Sequence, residues 1–178
     1  VEEEKITNKD FYEIGKLYEL VEEYYKSNKN KKEAKNCFKS AVKYYRKGMN
    51  LNQPNSMHRY GQLLSEGRIK GEKDLSSELF KKAADMNHPG SMYEYAKLLE
   101  KTKNRSNMLR AAQLYEKAAS FNEPNAMFKH AQILEENCMV KKERIKAIDL
   151  YKKAADMKHS VANNDLGLLY NEGKGVKQ

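Results

Sequence analysis

Residues 78–92 read ELFKKAADMNHPGSM, and the same motif returns as QLYEKAASFNEPNAM at 113–127 and as DLYKKAADMKHSVAN at 149–163. The paired alanines within the motif recur after 35 and then 36 residues. A sustained period of this length is typical of stacked supersecondary units, each of which completes its core against its neighbours. The repeat predicts an array of helix pairs, a fold that more often presents a binding surface than a catalytic centre.

Each period divides into two amphipathic helices separated by a polar stretch. After Pro89, apolar residues recur at helical spacing as far as Leu99, and TKNRSN at residues 102–107 ends this pattern. A second apolar stripe is formed by Leu109, Ala112, Leu114, Tyr115, Ala118 and Ala119. Apolar residues three and four positions apart share one face of a helix, so we expect each segment to bury one face.

The joints between periods carry signals for the end of one helix and the start of the next. An asparagine stands two residues before a proline in Asn52 with Pro54, Asn87 with Pro89, and Asn122 with Pro124. Asparagine tolerates the left-handed conformation that ends many helices, and proline suits the first helical turn. The fourth joint has Lys158 and Ser160 instead and lacks both signals.

These joints define the predicted organisation of the chain. We expect one domain over residues 1–178, divided into units at 8–53, 54–88, 89–123 and 124–159 and a partial unit at 160–178. The stretch NEGKGVKQ at the end is predicted to be a loop after a ninth helix, which would leave an apolar face around Leu166, Leu169 and Tyr170 uncapped.

The N-terminal unit is longer than the others. Between Tyr18 and Ala41 lie 11 residues more than in the second unit, which is about three helical turns, so its helices can lengthen without losing phase. The apolar stripe of its first helix is continued by Leu17, Leu20, Val21, Tyr24 and Tyr25. We interpret this unit as a long, capping helical hairpin.

Composition and cysteine usage limit the class of protein. Charged residues make up 33% of the chain and mean hydropathy is −0.95, which suits a thin array with much surface per residue. Cys37 and Cys138 lie too far apart for a disulfide framework or a metal-ligand motif, which favours an intracellular compartment. No apolar run approaches the length of a membrane span. Because the chain starts at Val1, we expect an excised piece in which targeting segments are not visible.

The sequence offers no grouping typical of a catalytic, cofactor or metal site. The four histidines occupy repeat-equivalent or neighbouring places, which favours structural roles: His58, His88, His130 and His159. No pairing of histidine with cysteine or serine suggests an activated nucleophile, and no glycine-rich phosphate loop is present. We therefore expect a non-catalytic protein with no cofactor.

A basic stretch between residues 26 and 47 contributes to the net charge of +9. It contains Lys26, Lys29, Lys31, Lys32, Lys35, Lys39, Lys43, Arg46 and Lys47, with Glu33 as its only acid and with Tyr24, Tyr25, Tyr44 and Tyr45 nearby. Lysines beside tyrosines can hold single-stranded nucleic acid, with phosphates on the lysines and bases on the rings. An acidic protein partner, or a solvated helix whose tyrosines belong to the core, explains the same pattern.

The repeat resembles the Sel-like repeat, a relative of the tetratricopeptide repeat. The family pattern joins a small residue to L-G-x-x-Y, a G-x-G-V loop and K-A-x-x-x-Y-x-K-A-A. The fifth unit carries its first part in Ala162, Leu166, Gly167, Tyr170, Gly173, Gly175 and Val176. The resemblance covers roughly residues 10–178 and implies a right-handed α-solenoid of stacked antiparallel helix pairs that serves as a protein–protein interaction scaffold or adaptor.

A second resemblance supports nucleic-acid binding as an alternative function. Pentatricopeptide repeats have a similar period and read RNA one base per repeat. An RNA- or single-stranded-DNA-binding protein that uses the basic surface is therefore the alternative to a scaffold, although the L-G-x-x-Y and K-A-A features are more similar to the Sel-like pattern.

The resemblance also implies where a partner binds. In tetratricopeptide-like arrays the first helices line the concave side, and here positions 56, 60, 61 and 64 and their equivalents are predicted to face the core. The predicted partner-binding residues are His58, Arg59, Gln62, Tyr93, Lys97, Phe128, Lys129 and Gln132. We expect Tyr93 and Phe128 to be exposed aromatic anchors for a peptide that offers acidic side chains or a C-terminal carboxylate, with packing on the neighbouring helix as the alternative for both rings.

Overall fold

The computed structural model describes residues 10–70, 73–136 and 141–171, and within these ranges it contains nine α-helices and no strand. The helices are α1 (Phe11–Ser27), α2 (Lys31–Asn50), α3 (Pro54–Ser65), α4 (Lys73–Asp85), α5 (Pro89–Lys101), α6 (Arg105–Ser120), α7 (Pro124–Glu136), α8 (Lys141–Asp156) and α9 (Ser160–Asn171). The predicted all-α fold is confirmed. Cys138 and the loop residues Gly173, Gly175 and Val176 lie outside the described residues.

The chain divides into two compact units, Val1–His88 with helices α1 to α4 and Pro89–Gln178 with α5 to α9. The boundary coincides with a joint between repeats, where α5 begins. A single domain over the whole chain stays a prediction.

The joints have one geometry, and it does not depend on asparagine. Asn52, Asn87 and Asn122 adopt φ values of 56°, 63° and 60°, as their left-handed role predicts. Lys158 at the fourth joint adopts φ 65°, and the next amide, that of His159, donates to the Ala154 carbonyl at 3.1 Å. Equivalent hydrogen bonds close the other joints, so the helix packing imposes this turn even where its usual residues are absent.

The first unit has a core at the meeting of α2, α3 and α4. Its buried residues are Ala41, Tyr45, Met57, Tyr60, Leu63, Leu64, Leu79 and Ala83. A β-carbon on Gly61 would lie 2.9 Å from the Phe80 ring, so this glycine permits the close approach of α3 and α4 that the sequence predicts. The core positions predicted for the first helices are confirmed here, since Ser56, Tyr60, Gly61 and Leu64 are all buried.

The second unit has its core among α6, α7, α8 and α9. Its buried residues are Ala119, Met127, Phe128, Ala131, Ala147, Ile148, Tyr151, Ala154, Ala162 and Leu169. Ala118 on α6 is also fully buried, as the paired-alanine pattern predicts. Leu109 differs from the prediction: it is 62% exposed near the start of α6, because the buried face of that helix follows Ala111 and Tyr115.

In the pairs α1–α2, α5–α6 and α7–α8, a buried tyrosine bonds its hydroxyl to a glutamate of the preceding helix, whereas α4 has Phe80 at this position. The hydroxyl of Tyr115 donates to Glu100 at 2.7 Å and that of Tyr151 donates to Glu135 at 3.0 Å. Burial, and then the hydrogen bond to the carboxylate, raise the pKa of both tyrosines. These pairs satisfy the one polar atom of a ring that otherwise fills the core.

Helix α1 departs from the repeats. Its inner face contacts α2, with the Tyr18 and Tyr44 rings 5.5 Å apart and a site at Gly15 where a β-carbon would lie 2.5 Å from Tyr45. Its apolar stripe faces solvent, however: Leu17 and Leu20 are each 61% exposed. The stripe is therefore not a continuation of the buried face, and that part of the prediction is wrong. No helix in the described part of the chain is long and apolar enough to cross a membrane.

Candidate functional site

The three predicted binding residues on α3 are engaged within the first unit. The His58 ring lies 4.5 Å from the His88 ring and 5.8 Å from the Phe80 ring, between centroids. Burial, together with the charges of His88 and Arg59, lowers the pKa of His58 to about 3. His58 is thus a neutral, packed side chain near neutral pH, in agreement with the structural role expected for the histidines.

Arg59 belongs to an ion network that ties α3 to α1. Its guanidinium donates two hydrogen bonds to the Glu19 carboxylate, at 2.8 and 2.7 Å, and a third to the Gln62 side-chain oxygen at 3.1 Å. Arg68, just after α3, bonds both Glu19 at 3.1 Å and Glu22 at 2.7 Å. Arg59 and Gln62 therefore have structural partners already, which makes them weak candidates for holding a ligand.

Glu19 is held as a carboxylate by this network. Burial raises its pKa, but the hydrogen bonds from Arg59 and Tyr45 outweigh that effect, so the pKa lies below its usual value. Conversely, the bond to Glu19 raises the pKa of Arg59. Glu19 and Glu22 could not be identified from the sequence, because the arginines that bind them lie 40 or more residues away along the chain.

A cavity of about 360 Å³ in the second unit brings together three of the predicted residues. It is lined by Tyr93 and Lys97 of α5 and by Lys129 of α7, and Glu100 and Lys101 complete it. All five side chains come from first helices of the repeats, the side on which the sequence analysis predicts the groove. Three of the predicted binding residues thus meet in one place within this unit.

Charge and shape in this cavity suit a carboxylate beside an apolar group. The Lys97 ammonium lies 4.9 Å from the centre of the Tyr93 ring and 2.9 Å from a Glu94 oxygen. Burial lowers the pKa of Lys97, but the bond to Glu94 outweighs it and the pKa lies above its usual value. Lys101 and Lys129 form no ion pair with any residue that the structure describes, so their ammonium groups remain free to bind an anion.

Phe128 does not line this cavity. It is only 9% exposed, and its ring stacks on His159 at 4.8 Å and contacts Tyr151 at 5.7 Å. The expectation of an exposed aromatic anchor is wrong for Phe128, because α8 and the fourth joint close over this face of α7. Tyr93 is half-buried, with its ring 5.9 Å from Tyr115, and Gln132 is half-buried on α7.

A larger cavity of about 690 Å³ lies in the first unit, chiefly along α2 and α4. Lys81 and Lys82 line it together with Glu78 and Asp85, so its charges balance. Unlike the smaller cavity, it belongs mainly to second helices and contains none of the predicted binding residues. Its chemistry does not favour one class of ligand.

The exposed face of α2 is the second basic surface. Four lysines, Lys32, Lys35, Lys39 and Lys43, lie within an arc of about 80° on this helix and are all exposed. Tyr45 is fully buried and Tyr44 stacks on Tyr18, so two of the nearby tyrosines belong to the hairpin core. Among the described residues there is no group of three or more histidine, cysteine, aspartate or glutamate side chains able to hold a metal ion.

Comparison with known proteins identifies the family. The Sel1 repeat profile matches residues 54–88, 90–120, 124–159 and 160–178, whereas α1 and α2 lie outside these matches. No match was found among curated protein sequences.

Two solved structures are similar in fold. A Sel1 repeat protein from Oxalobacter formigenes is 27% identical with a TM-score of 0.69, over 93% of this chain and 63% of that one. A protective antigen of uropathogenic Escherichia coli strains, which displays an SLR fold, is 22% identical with a TM-score of 0.67, over 79% of this chain and 30% of that one. This chain thus spans less than two thirds of either protein. Since the Sel1 repeat matches extend over most of its residues, the chain belongs to the Sel1 repeat family.

Proposed function

We propose that this chain is a non-catalytic scaffold that binds an acidic segment of a protein or peptide in the cavity between α5 and α7. Sel1 repeat proteins are in general scaffolds for protein interaction, which supports the class of function. The observation that carries the site is the meeting of Tyr93, Lys97 and Lys129 around one open cavity.

The chemistry of the cavity specifies the kind of segment. Lys101 and Lys129 can each receive a carboxylate, and the half-buried Tyr93 ring offers an apolar surface beside them. Aromatic residues beside cations are typical of the centre of a binding interface. A segment with two acidic residues flanking an aliphatic or aromatic one fits this arrangement, and the net charge of +9 assists its approach.

Rigidity favours this cavity over the first unit's α3 face. Tyr115, fully buried below Tyr93, bonds Glu100 at 2.7 Å, so the floor of the cavity is fixed before a partner arrives. A preorganised surface lowers the ordering cost of binding a flexible peptide. His58 and Arg59, in contrast, would have to leave intramolecular partners.

The test compares proteins captured by the wild-type chain and by single variants. Pull-downs from nuclease-treated lysate, followed by mass spectrometry, are run with wild type, Tyr93→Ala and Lys129→Glu. A partner of the cavity is retained by the wild type and lost with both variants. Its acidic segment, made as a labelled peptide, should then bind the wild type at least tenfold more tightly than Lys129→Glu in fluorescence polarisation.

The matched control is Lys153→Glu, which makes the same charge change at an exposed site on α8. It should capture the same partner as the wild type. If Lys153→Glu reduces capture as much as Lys129→Glu does, binding depends on net charge and the cavity is not the site.

The lysine face of α2 favours a second candidate function, binding of single-stranded nucleic acid. Like charges four residues apart on a helix repel, and Lys35, Lys39 and Lys43 form such a series with no acid among them. A phosphate backbone would relieve this repulsion. Because Tyr44 and Tyr45 are packed inside the hairpin, bases have few rings to stack on, and the scaffold function is better supported.

A labelled 20-nucleotide poly(U) RNA distinguishes the two functions. If the alternative is correct, this RNA binds with strong salt dependence, and the triple variant Lys35→Glu, Lys39→Glu, Lys43→Glu loses binding while Lys129→Glu does not. Under the scaffold proposal the triple variant keeps its protein partner.

A further inference from the structure

The outer face of α1 carries four large apolar side chains in solvent. Leu17, Leu20, Val21 and Tyr24 are between 43% and 64% exposed. Their spacing places them within an arc of about 100° on the helix. The opposite face is the one that bonds the rest of the first unit, through Glu19 to Arg59 and through Tyr18 to Tyr44. Clustered apolar exposure of this kind marks an interaction surface.

We infer that this apolar stripe is a self-association surface, on which α1 of one copy pairs with α1 of a second copy in antiparallel orientation. The stripe is self-complementary, as a two-fold interface requires. When the two helices run in opposite directions about their middle, Leu17 of each copy lies against Leu20 of the other. In this register Tyr24 of each copy lies opposite Glu13 of the other, near the start of that helix.

The charges beside the stripe select the antiparallel orientation. Lys16 and Glu23 are both exposed and, seven residues apart, lie on the same flank of α1. In an antiparallel helix pair the same flanks meet, so Lys16 of each copy lies beside Glu23 of the other. A parallel pair would bring this flank against the opposite flank, where Val21 lies, and would lose both ion pairs.

The charges at the two ends of α1 also favour the antiparallel orientation. Asp10 and Glu13 make its start acidic, whereas Lys26 and Lys29 make its end basic. Antiparallel pairing places each acidic start near the basic end of the partner and also opposes the two helix dipoles. The same charges argue against a membrane as the occupant, because the stripe is flanked by Glu13 and Glu23 rather than by lysines alone.

The interface is small, so the dimer is expected to be weak. A helix of 17 residues is about 26 Å long, and a stripe of this length falls at the low end of interface size. Sedimentation velocity of the full chain from about 10 to 500 µM should therefore show a concentration-dependent monomer–dimer equilibrium. A chain that stays monomeric at the highest concentration overturns the proposal.

Point variants locate the interface. Leu20→Glu should weaken dimerisation at least tenfold, while circular dichroism and the unfolding midpoint stay unchanged because Leu20 is solvent-exposed. Leu109→Glu is the matched control, since Leu109 is 62% exposed and belongs to α6 rather than to α1. Equal loss in both variants, or none in Leu20→Glu, rules out the stripe as the interface.

A charge exchange tests the orientation without touching the apolar residues. Lys16→Glu and Glu23→Lys should each weaken the dimer about threefold to tenfold, and the double variant should return to within twofold of the wild type. Glu23 also contacts Lys26 at 2.8 Å, but this exposed pair within one helix contributes little. If the double variant is weaker than either single one, the antiparallel pairing is wrong.

Discussion

The N-terminal hairpin α1–α2 and the repeats α5 to α8 hold their helices together by different means. In α7, five of 13 residues are buried, and all but His130 are apolar. In α1, three of 17 residues are buried, and one of these is Glu22, which is bonded to Arg68. The repeats depend on close packing of small and aromatic residues, whereas the hairpin adds a specific ion network.

The difference follows from how many faces each helix buries. Helices α6, α7 and α8 each pack against the helix before and the helix after, and alanines at these contacts let the helices approach closely. Helix α1 is covered on one side, and its attachment depends on ring contacts to Tyr44 and on Glu19 and Glu22. A helix that packs on one side only (an edge helix) is thus held by directional contacts. A helix that packs on two sides (an inner helix) is held by close packing.

The largest expected effect tests whether α2 is packed as closely as the equivalent helix of a repeat, α6. Ala41 on α2 and Ala111 on α6 are equivalent and both buried. Ala41→Asp and Ala111→Asp each place a carboxylate in an apolar site and should lower the free energy of unfolding by at least about 3 kcal/mol. Urea unfolding followed by circular dichroism measures this loss.

The exposed Gln113 on α6 supplies the control for these aspartates. Gln113→Asp should change stability by less than about 0.5 kcal/mol. A mild effect of Ala41→Asp beside a severe effect of Ala111→Asp would show that α2 is less closely packed than α6.

The ion network of the hairpin should matter more than an ion pair of the repeats. Arg68→Met leaves Glu22, which is 5% exposed, without its main partner and should cost about 3 kcal/mol. Lys146→Met removes an exposed 3.2 Å pair with Glu116 and should cost under about 0.5 kcal/mol. The same unfolding measurement compares them, and equal losses would contradict the distinction between edge and inner helices.

Substitutions of two glycines are expected to differ less in their effect on stability. Gly15→Ala on α1 drives a methyl group against Tyr45 and should cost about 1–3 kcal/mol. Gly167→Ala on α9 meets nothing within 4 Å and should be neutral or stabilise by up to about 1 kcal/mol through helix propensity. Thermal unfolding of the two variants distinguishes them. A stabilised Gly15→Ala would mean that α1 is less closely packed on α2 than the structure shows.

The smallest effect is a pH dependence carried by His58. Its pKa is about 3 in the folded chain against 6.5 for the free side chain, so protonation favours the unfolded state. The stability that it contributes is complete above pH 6.5 and is lost as pH falls from there towards 3. Between pH 6.5 and 5.5 we expect a loss of roughly 1 kcal/mol or less.

His58→Phe isolates this contribution. Tyr93 and Phe128 occupy the equivalent positions of later repeats, so a phenylalanine fits the site. The variant should lose less stability than the wild type between pH 7 and 5. Parallel curves for the two proteins would show that His58 is not the group responsible.

Much of the fold was predictable because its signals are local. The apolar stripes on α5 and α6 predicted those helices, and Asn87 and Asn122 predicted the left-handed joints. The candidate site was predictable in part: Tyr93, Lys97 and Lys129, all predicted binding residues on first helices, line one cavity. The prediction that Phe128 is exposed was wrong, because its place on α7 outside the predicted core positions does not reveal that α8 and the fourth joint cover it from another side.

The sequence by itself determined the repeat, its helices and its family, because these depend on periods of 3.6 and about 35 residues that any copy of the motif carries. Only the tertiary structure decided which side chains are free. Arg59 and Lys129 are both basic residues of the predicted binding set, yet Arg59 is bound by Glu19 from 40 positions away while Lys129 faces an open cavity. The apolar stripe of α1 is exposed for the same reason: burial depends on what packs against a face, and distant parts of the chain supply it.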